Sequence, residues 1–130
     1  TYAKEINIEA KAMIDIATKQ IIPAVIKYTT TLAQSINAVT AACGADVSVQ
    51  TEILNEVSDL LADTKQALSR LEEVTAQGGA MAQGREQAVF YRDEVMTAMT
   101  ALRTPVDRLE MLVDKSMWPM PSYGDLMFEV

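Results

Sequence analysis

Residues 90–128 read FYRDEVMTAMTALRTPVDRLEMLVDKSMWPMPSYGDLMF. Counting back to Ala88, the residues Ala88, Val95, Leu102 and Leu109 recur every seven positions, and Arg92, Met99, Val106 and Val113 stand four residues later. Two such columns form the seam by which long helices pack side by side. Arg92 interrupts the seam, but its aliphatic stem can lie along apolar neighbours while its head reaches water. The spacing therefore predicts a long amphipathic helix over about 82–116, its start lying between Ala80 and Glu86. The residues beyond it cannot be helical: Pro119 and Pro121 push Trp118 and Met120 into extended backbone, and Ser122-Tyr123-Gly124-Asp125 has the composition of a turn. The tail, 117–130, is nonetheless too apolar for a free linker. Trp118, Met120, Tyr123, Leu126 and Phe128 are its candidate docking residues, either onto its own helices or onto another domain or subunit.

Upstream, two more segments show the helical period. In the first, over about 3–43, Ile6, Ala10, Met13, Ala17, Ile21, Val25, Tyr28, Leu32, Ile36, Val39 and Cys43 form one stripe. Gly44 then suits the left-handed position that closes a helix. In the second, over about 48–77, Val49, Ile53, Val57, Leu60, Leu68, Leu71 and Val74 form a stripe with Thr64 in the gap. Asp46 or Ser48 is the expected N-cap, and Gly78 and Gly79 are expected to end the helix. Pro23 and Pro105 fall inside helical patterns, where a missing N–H and a crowded preceding turn kink or break a helix. The apolar phase continues across both, which favours a kinked, continuous helix in each case.

Helices of 30 to 40 residues are about 45 to 60 Å long at 1.5 Å per residue. Short Gly-containing turns should fold them back on one another. The expected fold is all-α: an elongated antiparallel three-helix bundle with long kinked helices and a non-helical aromatic C-terminal tail, one helical domain over 1–130.

Composition narrows the function. The chain carries 11 Lys and Arg against 18 Asp and Glu, a net charge of −7, and no His. Scattered cations in an acidic chain do not make a phosphate-binding surface, so nucleic acid is not an expected partner. Without His, the Ser-His-Asp and Cys-His arrangements and the usual zinc sets are ruled out. No glycine-rich phosphate loop occurs. Glu52, Glu56, Asp59 and Asp63 share one helical stripe that could offer oxygen ligands to Mg²⁺ or Ca²⁺. The plainer reading is a solvated face. Glu72-Glu73 and Asp93-Glu94 are adjacent on their helices and diverge by about 100°. No catalytic, cofactor-binding or metal residue is assigned. The single Cys43, at the end of an apolar stripe, reads as a small buried hydrophobe and suits a reducing cytoplasm. No apolar run is long enough to span a membrane, and no secretory leader is recognisable. The sequence begins at Thr1, without Met and already in a helical pattern, as a piece of a longer protein would.

Several strings carry a family resemblance. They are Glu9-Ala10-Lys11-Ala12-Met13-Ile14-Asp15 leading to Ile22-Pro23-Ala24-Val25, then Tyr91-Arg92-Asp93 and Leu112-Val113-Asp114-Lys115. The most specific is Trp118-Pro119-Met120-Pro121-Ser122-Tyr123-Gly124-Asp125-Leu126. Together they resemble the C-terminal domain of type III glutamine synthetase, the large bacterial form of the enzyme, with the likeness weakest over about 44–84. The resemblance implies a parent glutamate–ammonia ligase of nitrogen metabolism that uses ATP and Mg²⁺, forms a γ-glutamyl phosphate and assembles as stacked hexameric rings. It places the nucleotide, metal and glutamate ligands upstream, so no cofactor is implied for this stretch. The expected partners are the catalytic domain of the same chain and neighbouring subunits of a homo-oligomer. The expected role is structural, in assembly, or regulatory. An independent helical interaction module is the alternative.

Overall fold

A computed structural model describes residues 2–120. It is all-helical among these residues, with three long helices. Helix α1 spans residues 2–43: an α-helical run Tyr2–Ile16, one π turn Ala17–Ile21, and a second α-helical run Ile22–Cys43. Helix α2 is Ser48–Ala80. Helix α3 spans residues 85–112, again with a π turn, Tyr91–Val95, between Arg85–Phe90 and Met96–Leu112.

The π turn of α1 accommodates Pro23. A proline ring crowds the carbonyl four residues back and offers no N–H to it. Here the Ile22 N–H reaches past that register to the Ala17 carbonyl, a wider i→i−5 bond, and the helix resumes through Pro23 without breaking. Pro105 sits buried inside α3, which stays α-helical from Met96 to Leu112.

The helices pack in every pairing and run alternately up and down. One cluster joins Ile6, Ala10 and Ala17 of α1 to Leu68, Leu71 and Val74 of α2, and to Tyr91, Val95, Ala98, Met99 and Leu102 of α3. Further along, Ile21 and Val25 meet Val57, Leu109 and Val113, with Trp118 completing the set. Ascending numbers in α1 and α3 thus meet descending numbers in α2. Thr64 fills its gap in the α2 stripe fully buried, its hydroxyl donating to the Leu60 carbonyl at 2.7 Å.

The boundaries depart from expectation at several places. Gly44 closes α1 at φ 66° as expected, its N–H bonded to the Thr40 carbonyl. Gly78 and Gly79 do not end α2, which runs on to Ala80 instead of 77. Gly78 is a packing residue, buried against the ring of Tyr91. The third helix starts at Arg85, inside the expected window of Ala80 to Glu86, after Gly84, whose φ of 146° lies in a region only glycine enters readily. It stops at Leu112 instead of 116, where Val113 turns extended (ψ 141°). Cys43 is exposed, contrary to the buried reading. The tip of the α1–α2 hairpin extends beyond the end of α3, which leaves Cys43 without a third helix to cover it. Finally, Arg92 is not in the seam. The π turn shifts the phase by one residue, so Tyr91 enters the core at 2 % exposure and Arg92 points out to pair with Asp93.

Candidate docking site at the end of the third helix

The segment after α3 is held by its own turn. The side chain of Asp114 accepts from both the Ser116 N–H and its hydroxyl, each at 2.8 Å. The Asp114 carbonyl in turn accepts from the N–H groups of Met117 and Trp118. This local side-chain-to-backbone network competes successfully with another helical turn. It places Trp118 in the buried cluster of Ile21, Val25, Val57, Leu109 and Val113, where 8 % of it remains exposed. The indole Nε1–H is buried there with no hydrogen-bond partner among the described residues.

Electrostatics reflect the same geometry. The Ser116 hydroxyl, and then its N–H, hold the Asp114 carboxyl below the usual carboxylate range. Burial pushes the Tyr28 phenol up, and the nearby Asp114 charge adds to that. Because the Asp114 pKa is depressed by folding, its ionised form stabilises the turn fully above the ordinary value of about 3.9, and that contribution is lost as pH falls through the lowered value. Fluorescence of Trp118, the only tryptophan, reports on this. Its emission should stay blue-shifted down to about pH 4 and move to longer wavelength on further acidification. Asp114→Ala should show that red shift already at neutral pH. An unchanged spectrum in the variant would detach Asp114 from the anchor.

Met120 lies beyond the anchor, 39 % exposed, at the rim of an apolar cleft between α1 and α3. The cleft walls are Met13, Ile16, Ala17, Ile21, Leu102 and Val106, beside the π turn of α1. Of the five candidate docking residues, the structure thus places two: Trp118 in the core and Met120 at the cleft. Tyr123, Leu126 and Phe128 lie outside the described residues.

The acidic stripe does not converge. Glu56 is taken by Arg108, whose Nε and Nη2 both donate to one carboxylate oxygen at 3.0 and 2.7 Å. Glu52, Asp59 and Asp63 are exposed. Among the described residues, no group of three or more His, Cys, Asp or Glu side chains is placed to hold a metal ion. Glu73 and Glu94 do find a role that adjacent-pair reasoning missed: Arg70 of α2 reaches both, at 3.4 and 3.3 Å, tying α2 to α3 across the surface. Pairs this exposed contribute about 0–1 kcal/mol each. Also missed was a polar node at the other end of the molecule, where Tyr91 donates to Asn7 Oδ1 at 3.0 Å and Gln87 donates to the Gly78 and Met81 carbonyls. No pattern in the sequence links residues that far apart. No helix among the described residues is long and apolar enough to cross a membrane.

Comparison with known proteins shows what the chain is similar to. Residues 1–40 match the family model described as "Glutamine synthetase C-terminal domain". A glutamine synthetase of Bacteroides fragilis (strain YCH46) is 23 % identical to the chain over 132 aligned positions. A type-3 glutamine synthetase of Dictyostelium discoideum is 27 % identical over 135. Each alignment takes in 98 % of this chain but 18 % of the relative, so the chain spans less than a fifth of the length of these enzymes. The matches support the resemblance carried by the sequence: over nearly its whole length the chain is homologous to glutamine synthetases, type-3 included, consistent with the C-terminal domain of a type III enzyme.

Proposed function

We propose that this chain is a non-catalytic helical C-terminal domain of a type III glutamine synthetase-like enzyme, with a structural role in assembly or regulation. In this reading it is an elongated antiparallel three-helix bundle whose aromatic tail grips another part of the enzyme. The parent reaction would be ATP- and Mg²⁺-dependent ligation of ammonia to glutamate, carried out by upstream residues in the cytoplasm of a bacterium. The catalytic domain and neighbouring subunits of a homo-oligomer would be the partners. One observation carries the proposal: the Asp114 turn leads to Trp118, buried in a cluster drawn from all three helices, with Met120 at an apolar cleft. Anchoring the residues just before an apolar segment serves docking and has no use in a free linker.

The test is a truncation of the full-length enzyme after Trp118, which keeps the anchor and removes 119–130. Native mass spectrometry should show smaller assemblies, or the glutamine-forming activity should fall, while the helical content of the domain stays the same. An enzyme of unchanged mass and activity would refute the docking role.

A further inference from the structure

The cleft between α1 and α3 has a volume of about 170 Å³. An apolar cavity of about 150 Å³ is large enough to take a benzene ring. Ala17, Ile21 and Leu102 are buried at this cleft, whereas Met13, Ile16 and Val106 are half-buried. Apolar walls therefore stand open to water, around a space that suits one large apolar side chain. Among the described residues, Arg103 is the one charged residue on its edge. Arg103 is exposed and forms no ion pair with a described residue.

The chain itself supplies a side chain of that kind. Met120 lies at the rim, and the ten residues PSYGDLMFEV follow it. Phe128 stands eight residues beyond Met120, a reach of about 27 Å in extended backbone. Ser122 to Asp125 has the composition of a turn, which would bring the chain back towards the helices it has just left. In extended backbone after such a turn, Leu126 and Phe128 share one side, and Met127 and Glu129 the other. Tyr123 falls inside the turn, and it would bring a hydroxyl to apolar walls. Charge fits as well: Asp125 and Glu129, both acidic, are the only charged side chains after Met120, and they bracket the apolar trio that would meet Arg103.

We propose that the cleft seats the chain's own tail, with the Phe128 ring between α1 and α3 and Leu126 beside it. The tether selects this occupant over the tail of a neighbouring copy. A short flexible linker supplies an effective concentration on the order of 1 mM. A contact with an intrinsic Kd of about 0.1 mM is then closed about ten times as often as it is open. The same contact between separate chains at micromolar concentration would be almost wholly open. The tail is thereby held in a closed state that any other partner has to displace, which weakens docking about tenfold. That consequence rests on the docking role proposed above, whereas the seat itself needs only this chain.

The test uses a fluorescein-labelled peptide of residues 121–130, titrated with the 130-residue chain and read by anisotropy. The wild-type chain, its seat occupied, should bind the peptide about tenfold more weakly than Phe128→Ala, which vacates the seat. A peptide carrying the same Phe128→Ala change should not bind the opened chain, a control that leaves the helices untouched. In the Phe128→Ala background, Met13→Glu brings a charge to a half-buried wall and should weaken the peptide about tenfold or more. Arg103→Glu should weaken it about threefold at low salt and less at high salt. Circular dichroism must show each variant folded, and sedimentation equilibrium should show the wild-type chain monomeric while its seat is occupied. Equal binding by the wild-type and Phe128→Ala chains would mean that the tail is not seated. No binding to Phe128→Ala would mean that the cleft is no seat. A wild-type dimer would give the cleft to a neighbour's tail. Each of these would overturn the proposal. The docking role fails or stands separately: smaller assemblies of the truncated enzyme, together with equal peptide binding here, would keep docking and remove the seat.

Discussion

Trp118→Ala should lower the unfolding free energy by about 3 kcal/mol, at the lower end of the range for deleting a buried large aromatic side chain. Trp118 comes six residues after the end of the last helix, yet it is 8 % exposed and belongs to a buried cluster with Ile21, Val25, Val57, Leu109 and Val113, which draws on all three helices. Its removal opens a cavity where the third helix has already ended, and no further helix among the described residues can collapse into it. One term moderates the loss. The indole Nε1–H is buried without a partner among the described residues, and an unsatisfied buried donor costs about 1–3 kcal/mol that the alanine variant no longer bears. Trp118→Phe separates the two contributions. It keeps most of the ring contact and discards the orphan donor, so it should lose about 1 kcal/mol or less. Urea denaturation monitored by far-ultraviolet circular dichroism measures both, since the fluorophore itself is removed. The midpoint should fall sharply for alanine and slightly for phenylalanine, with the slope unchanged. An alanine variant as stable as the wild type would mean that the anchor contributes nothing to the fold.

The helices were legible in the sequence because each buries one face. Ile6, Ala10, Ala17, Ile21, Val25 and Leu32 stand in the α1 stripe and are all buried. Even Thr64, a polar residue in an apolar column, is buried and satisfied by its own helix. The errors share one cause: periodicity describes a helix by itself, not its neighbours. Cys43 keeps the apolar phase of α1 but sits past the point where α3 ends, so it is exposed. Arg92 keeps the seven-residue count, yet the π turn Tyr91–Val95 inserts a residue into the phase and hands the core position to Tyr91. A one-residue change in backbone register leaves no trace in a count of apolar side chains. The candidate docking set was legible as composition, and its geometry was not. The Asp114–Ser116 turn that fixes Trp118 depends on a carboxylate accepting two bonds at once, and Asp114 reads in sequence as one more surface acid. The Arg108–Glu56 pair, 52 residues apart, was equally hidden.

Gly78 and Gly79 read as one helix-ending signal, but the structure gives them opposite roles, and their alanine variants should shift stability in opposite directions. Both lie inside α2 with no positive φ. Replacing glycine by alanine stabilises a helix interior by about 0.5–1 kcal/mol, and a last turn by somewhat less, because glycine loses more backbone freedom on folding. Around Gly79 no described atom lies within 4 Å of the new Cβ, so Gly79→Ala should gain up to that amount. At Gly78 the Cβ would lie 2.8 Å from Cε2 of Tyr91 and 3.0 Å from its Cζ. The ring has little freedom to retreat: it is 2 % exposed, and its hydroxyl is bonded to Asn7 on α1. Overpacking of this kind costs about 1–3 kcal/mol. After subtracting the helix gain, Gly78→Ala should lose about 1–2 kcal/mol, a gap of roughly 2 kcal/mol between adjacent glycines. Thermal unfolding of the two variants tests the sign. A double-mutant cycle tests the cause: in a Tyr91→Leu background the obstructing ring is gone, so Gly78→Ala should there behave like Gly79→Ala. Equal shifts at the two glycines, or a Gly78 penalty that survives the loss of the Tyr91 ring, would show that close approach of α2 to α3 at this point is not what Gly78 provides.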